Sequence, residues 1–101
     1  MVRMGSTAAE LVARGAAGLI DVRETFEHEI VHIPGDRLVP LAELLAGPVD
    51  LGPGPFVLYC KTGIRSDRAA AALRAVGIDA VSLRGGIHAW LELTGQGAAR
   101  Y

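Results

Sequence analysis

Thiols are nearly absent from this 101-residue chain: Cys60 is its one cysteine. A single thiol cannot form an internal disulfide, which fits a reducing compartment. Net charge is nearly absent too, with 10 Lys and Arg against 11 Asp and Glu leaving −1 at pH 7. That excludes a global attraction to nucleic acid or to an anionic membrane, so any positive field must be local. No apolar run approaches the ~20 residues that a membrane helix needs. Glu10 and Arg14 interrupt any apolar stretch near the N-terminus, so no secretory leader is expected. There is no internal repeat and no long low-complexity segment. A glycine-rich phosphate loop is also missing, because Gly52-Pro53-Gly54-Pro55 is too rich in proline to present consecutive N–H donors. A cytoplasmic protein with no nucleic-acid and no membrane partner is the expectation.

What is present is a core. Half of the residues are hydrophobic, and a chain of this size buries about 65% of its unfolded surface, enough for one domain without staples. A single domain over residues 1–101, with its core at about 6–94, is expected. Residues 6–14 read as a short helix capped by Ser6 or Thr7 and ended by Gly15. Gly18 to Val22 reads as a buried strand, and Thr25 to Val31 as a short helix capped by Thr25. After the Pro34-Gly35 turn come a brief strand at Leu38-Val39 and a helix over 41–45, closed by Gly47-Pro48. Phe56 to Tyr59 is the central strand. Asp67 to Val76 is a strong helix ended by Gly77, residues 80–83 form a further strand, and Ile87 to Leu93 a last helix carrying Trp90. Strands alternating with helices predict an α/β fold, three layers deep, with a small and mostly parallel central sheet. Ligands of such sheets bind beyond the carboxyl ends of the strands. Three loops then share one rim: Asp21 to Glu24, Cys60 to Arg65, and Arg84 to Gly86.

Cys60 is placed for chemistry. It lies between a strand and an alanine-rich helix, in Tyr59-Cys60-Lys61-Thr62-Gly63-Ile64-Arg65-Ser66. A thiol there meets the unpaired N–H groups of the helix start, which favour an anion. Such surroundings lower a thiol pKa from ~8.5 to roughly 3.5–7.5. Lys61 and Arg65 add positive charge on either side. The segment is suited to a thiolate and an anionic sulfur or phosphorus substrate.

Four pieces recur in order: Asp21-Val22-Arg23-Glu24, then His32-Ile33-Pro34-Gly35, then Tyr59-Cys60 with Gly63 and Arg65-Ser66, and last Gly85-Gly86 with Ala89-Trp90. Together they resemble the rhodanese-like sulfurtransferase domain over roughly residues 6–94. Asp36 departs from the pattern, where the family usually carries a small alanine; a local change without catalytic consequence is expected. The resemblance implies sulfur transfer through a cysteine persulfide. Cys60 would accept the sulfane sulfur. Lys61, Thr62, Gly63, Ile64 and Arg65 would wrap it with backbone N–H groups, and Lys61 and Arg65 would hold an anionic donor. Both side chains are expected to point off the rim. The donor implied is thiosulfate or another persulfide donor; the acceptor is a thiol, cyanide or a sulfur-carrier protein. No metal and no cofactor are implied. Similar domains occur fused to enzymes that activate sulfur carriers, so a sulfur-relay module acting on a protein partner is the alternative.

Two other chemistries share pieces of this pattern. Tyrosine-type phosphatases also hold a thiolate in an anion loop, and some share the rhodanese fold. Their loop carries one residue more between Cys and Arg than the four here, Lys61 to Ile64; the shorter loop should encircle a single sulfur rather than a phosphate. His28-Glu29-Ile30-Val31-His32 matches the zinc-protease signature, with Glu29 as base. Pro34-Gly35 should end the helix immediately after it, and a third ligand from Glu43 or His88 has no motif support. A surface His28 and a turn-stabilising His32 are expected instead. Asp21 and Arg23 are expected to fix the rim by an ion pair, Gly85-Gly86 to make a tight turn, and Ile87 and Trp90 to fill the core.

Overall fold

The computed structural model describes residues 8–47, 50–52 and 54–93. Ser6, Thr7, Pro48 and Pro53, used above as caps and breakers, lie outside them. In chain order the elements are α1 (Ala8–Ala13), β1 (Gly18–Asp21), α2 (Thr25–Ile30), β2 (Arg37–Leu38), α3 (Leu41–Ala46), β3 (Phe56–Tyr59), α4 (Ile64–Ala75), β4 (Ala80–Ser82) and α5 (Gly86–Leu93). The four strands form one sheet in the order β2-β1-β3-β4, every pair parallel. Gly18 to Asp21 pair in register with Phe56 to Tyr59, which puts β3 and the cysteine that follows it in the middle of the sheet.

Two apolar layers follow from the two-residue period of the strands. Ile20, Val22, Phe56, Leu58 and Cys60 face Leu44 of α3 and Ala69, Ala70 and Leu73 of α4. Leu19, Val57 and Tyr59 face Leu11 of α1 and Ile87 and Leu91 of α5. A three-layer α/β/α architecture results. Val57 and Leu58 have no exposed surface, and burying each side chain is worth about 1.5–3 kcal/mol. Cys60 continues the 56, 58, 60 alternation, so its sulfur turns toward α4.

Most boundaries differ from expectation by a residue or so, and three differences have a clear local cause. Helix α4 starts at Ile64, three residues early, because Gly63 in a left-handed conformation (φ 116°) turns the chain straight into the helix. Helix α2 is capped by Glu24 rather than Thr25: a capping box joins Glu24 and Glu27, with the Glu24 N–H donating to Glu27 Oε1 at 3.0 Å. Strand β2 is Arg37–Leu38, one residue earlier than predicted, because Ile20 and Asp21 pair there. Among the described residues, no helix is long and apolar enough to cross a membrane.

Candidate active site

The cysteine loop is held from both ends. Helix α5 begins against it: the Ile87 N–H donates to the Cys60 carbonyl at 2.9 Å and the His88 N–H to the Lys61 carbonyl at 3.4 Å. Gly86 makes this approach feasible. A Cβ on it would lie 2.5 Å from the carbonyl oxygens of both Cys60 and Lys61. The pair Gly85-Gly86 is therefore more than a turn; it lets one backbone press on another. From the strand side, Tyr59 anchors the end of β3. Its hydroxyl donates to Asp36 Oδ2 at 2.5 Å and accepts the Ile33 N–H at 3.1 Å. Burial, and then the bond to Asp36, push this phenol far above its ordinary range. It stays a neutral donor.

Donors converge on the sulfur. The Gly63 N–H reaches Cys60 Sγ at 3.0 Å and the Ser66 N–H at 3.4 Å, and the Ser66 hydroxyl lies 3.5 Å away. Burial pushes the thiol up, but hydrogen bonds from the Ser66 hydroxyl and from the N–H groups of Ser66, Gly63 and Thr62 outweigh it, and the thiol sits below its ordinary value. Cys60 is 1% exposed. The arrangement stabilises negative charge on one sulfur with oriented dipoles and, among the described residues, no imidazole or carboxylate in contact.

The other predicted loop residues are distributed unequally. Gly63 is buried, Lys61 is half-buried, and Thr62 and Ile64 are exposed, Ile64 at 80%. Arg65 does not point off the rim as expected. Its guanidinium forks onto Glu27 of α2, with Nη1–Oε1 at 2.6 Å and Nη2–Oε2 at 2.9 Å. The reason is that Glu27 is only 4% exposed, and a buried carboxylate requires a cation. Asp21 and Arg23 make the expected ion pair and are fully buried. Arg23 Nε and Nη2 donate to the two Asp21 oxygens at 2.9 and 2.8 Å, and Nη2 also donates to the Val31 carbonyl. Arg84 does reach the rim. With Thr62, Gly63, Ser82 and Gly85 it lines a pocket of about 410 Å³ beside the loop.

Two participants escaped the sequence reading. Ser66 and Ser82 are linked at 2.6 Å between their hydroxyl oxygens. Ser66 carried a signal: with Ala69, Ala70 and Leu73 it occupies i, i+3, i+4 and i+7 of one buried helix face, where a hydroxyl needs a reason. Ser82, at the end of β4, carried none.

The zinc-like motif does not assemble. Helix α2 ends at Ile30, and Val31 is extended. The His28 and His32 rings stack face to face, centroids 4.0 Å apart and planes 14° apart. His28 Nδ1 lies 3.0 Å from Asp21 Oδ2 and 3.5 Å from Asp36 Oδ2. Donor atoms of His28, His32 and Asp36 fall within 4.8 Å of one another. Imidazole lone pairs lie in the ring plane, however, and two nearly parallel planes do not converge on one ion.

Comparison with known proteins agrees with this fold. The rhodanese-like domain family matches residues 6–93. The probable adenylyltransferase/sulfurtransferase MoeZ of Mycobacterium tuberculosis is 48% identical over 81 residues, covering 73% of this chain; the chain spans 20% of MoeZ. Among solved structures, a rhodanese-related protein from Thermoplasma volcanium superposes with a TM-score of 0.78 at 31% identity, covering 87% of this chain and 90% of that one. The human single-domain sulfurtransferase TSTD1 superposes with a TM-score of 0.70 at 29% identity, covering 83% and 88%.

Proposed function

The chain belongs to the rhodanese-like domain family, and from that premise we propose that it is a sulfurtransferase working through a persulfide on Cys60. The observation that carries this reading is the pair of backbone N–H groups, from Gly63 and Ser66, aimed at a buried Sγ at 3.0 and 3.4 Å. In the first half-reaction the Cys60 thiolate attacks the outer sulfur of thiosulfate. An S–S bond forms, the bond to the sulfonate breaks, and sulfite leaves with the electron pair. In the second, a thiol, cyanide or a sulfur-carrier protein attacks the outer persulfide sulfur, and Cys60 leaves as a thiolate. The loop from Lys61 to Arg65 supplies the positive field and the backbone donors for the dianionic donor. Arg65 acts from its pair with Glu27, fixing the first turn of α4 and its N–H groups. No metal or organic cofactor enters either step.

A relay reading is favoured by one further observation. Phe26 and Ile64, the neighbours of Glu27 and Arg65, are 61% and 80% exposed. Large apolar side chains flanking a site suit a protein acceptor better than a small ion. Intact mass decides the common step. Exposure to thiosulfate should add one sulfur atom, cyanide should remove it as thiocyanate, and Cys60→Ser should do neither. A Cys60→Ser protein that makes thiocyanate at the wild-type rate refutes the assignment. Loading from a persulfide donor with no loading from thiosulfate favours the relay.

A further inference from the structure

Ser66 has one hydroxyl proton and three claims on it. Its Oγ lies 3.5 Å from Cys60 Sγ, 3.2 Å from the Gly63 carbonyl and 2.6 Å from Ser82 Oγ. A hydroxyl offers one donor and two acceptor sites. The carbonyl only accepts, and so does a thiolate. If Ser66 gives its proton to either, the contact with Ser82 is a hydrogen bond only when Ser82 donates. If Ser66 donates to Ser82 instead, the sulfur is served only as a thiol, by giving its own proton to Ser66. A thiolate that accepts from Ser66 therefore requires Ser82 to donate to Ser66, and a donation from Ser66 to Ser82 is compatible only with the thiol. Ser82 is half-buried and lines the pocket beside the loop, whereas Cys60 is 1% exposed.

We propose that Ser82 is a positioning residue for Cys60, and that Cys60, Ser66 and Ser82 form a proton path from the buried sulfur to the pocket. In the thiol form, Sγ–H donates to Ser66, Ser66 to Ser82, and Ser82 to a water in the pocket. Ionisation moves each proton one place. The sulfur proton passes to Ser66 Oγ, the Ser66 proton to Ser82 Oγ, and the Ser82 proton to the water, which becomes hydronium. The products are a thiolate accepting from Ser66 and a Ser66 accepting from Ser82. Nothing is oxidised or reduced. Once Sγ carries a second sulfur it is neutral, and the Ser66 proton turns to the Gly63 carbonyl. When an acceptor removes the outer sulfur, the S–S bond breaks with its pair on Sγ, and the Ser66 proton turns back. That last exchange rests on the persulfide reading; the ionisation step does not.

Ser82→Val and Ser82→Thr have nearly the same shape and differ by the hydroxyl. Two readouts are taken: the pH profile of Cys60 alkylation by iodoacetamide, with no sulfur donor present, and kcat and KM for thiosulfate with cyanide. Ser82→Val should raise the alkylation midpoint by about half to one pH unit, the effect of a hydrogen bond acting through one intervening hydroxyl. Its kcat should fall roughly 3- to 10-fold with KM changed less than about twofold, since ground-state binding of thiosulfate is untouched. Ser82→Thr should restore the wild-type midpoint. The proposal is overturned if Ser82→Val titrates like the wild type, or if Val and Thr shift together, which marks a packing effect. If Ser82→Val does not fold, Ser82→Ala takes its place against Ser82→Thr. If thiosulfate fails to load the wild-type protein, the thiosulfate reading fails, and the alkylation profiles still judge Ser82.

Discussion

Replacing Arg65 with alanine should cost stability before it costs chemistry. The Glu27 side chain is 6% exposed and receives two guanidinium hydrogen bonds, at 2.6 and 2.9 Å. The same carboxylate accepts the Glu24 N–H that caps α2. Removing one partner of a buried pair costs about 3–5 kcal/mol, because the remaining charge is stranded. The Arg65 side chain is 35% exposed, so solvent screens part of the attraction, and roughly 2 kcal/mol is the reasoned loss. At ~4–8 °C per kcal/mol for a domain of this size, the midpoint of thermal unfolding should fall by about 8–16 °C. Glu27→Gln should cost less, because the amide oxygen still caps Glu24 and the charge left without its partner, on Arg65, is 35% exposed rather than buried. A double-mutant cycle of Arg65→Ala with Glu27→Ala should give a coupling of about 1–2 kcal/mol in urea unfolding followed by circular dichroism. An Arg65→Ala protein melting within ~2 °C of the wild type would refute the reasoning, as would a cycle whose single effects simply add.

Gly86→Ala should abolish the folded state or displace the cysteine loop, because its Cβ meets two backbone carbonyls at 2.5 Å and no rotamer relieves backbone contact; a wild-type melting curve with wild-type alkylation of Cys60 would contradict the docking of α5. Gly63→Ala is a milder case. Its Cβ would find 3.7 Å of clearance, but at φ 116° the strain is about 1–3 kcal/mol, read as a lower melting midpoint. Alkylation of Cys60 should titrate below the ordinary thiol range. Because the native value is below the unfolded one, the thiolate's stabilisation is complete above the unfolded pKa and is lost as pH falls through the native one. The stability difference between wild type and Cys60→Ala should therefore widen in favour of the wild type as pH rises across that window. An alkylation midpoint at or above ~8.5 would remove the thiolate cradle.

The fold was legible because each of its signals is local. Glycine and proline punctuate the chain, apolar runs such as 56–59 mark strands, and a cysteine between strand and helix announces its own surroundings. The parallel sheet and the position of Cys60 at its carboxyl edge follow from that pattern. The failures are long-range or steric. Glu27 and Arg65 lie 38 residues apart, and nothing in either neighbourhood names the other. Arg65 read as a rim cation holding the anionic donor; the burial of Glu27 is what turns its guanidinium onto α2 as a strut. Thr25 is the better cap than Glu24 by type, and the choice fell to Glu24 because Glu27 completes the box. Gly86 read as turn chemistry, whereas the demand on it comes from the carbonyls of Cys60 and Lys61, which the sequence places 26 and 25 residues away. Asp36 read as a tolerated departure, yet it accepts the hydroxyl of Tyr59, the residue directly before the nucleophile.

The seating of α5 on the cysteine loop also bears on the order in which the molecule is made. A chain synthesised from its N-terminus exposes Cys60 well before Gly86, Ile87 and His88 exist. Until those residues arrive, the Cys60 and Lys61 carbonyls lack the N–H groups that hold them, and the loop that aims the Gly63 and Ser66 N–H groups at sulfur is restrained from one side fewer. The nascent chain therefore carries a more ordinary thiol, more protonated at neutral pH and slower to oxidise. The loop gains its full set of restraints when α5 closes on it, so the sulfur becomes most nucleophilic as it becomes enclosed.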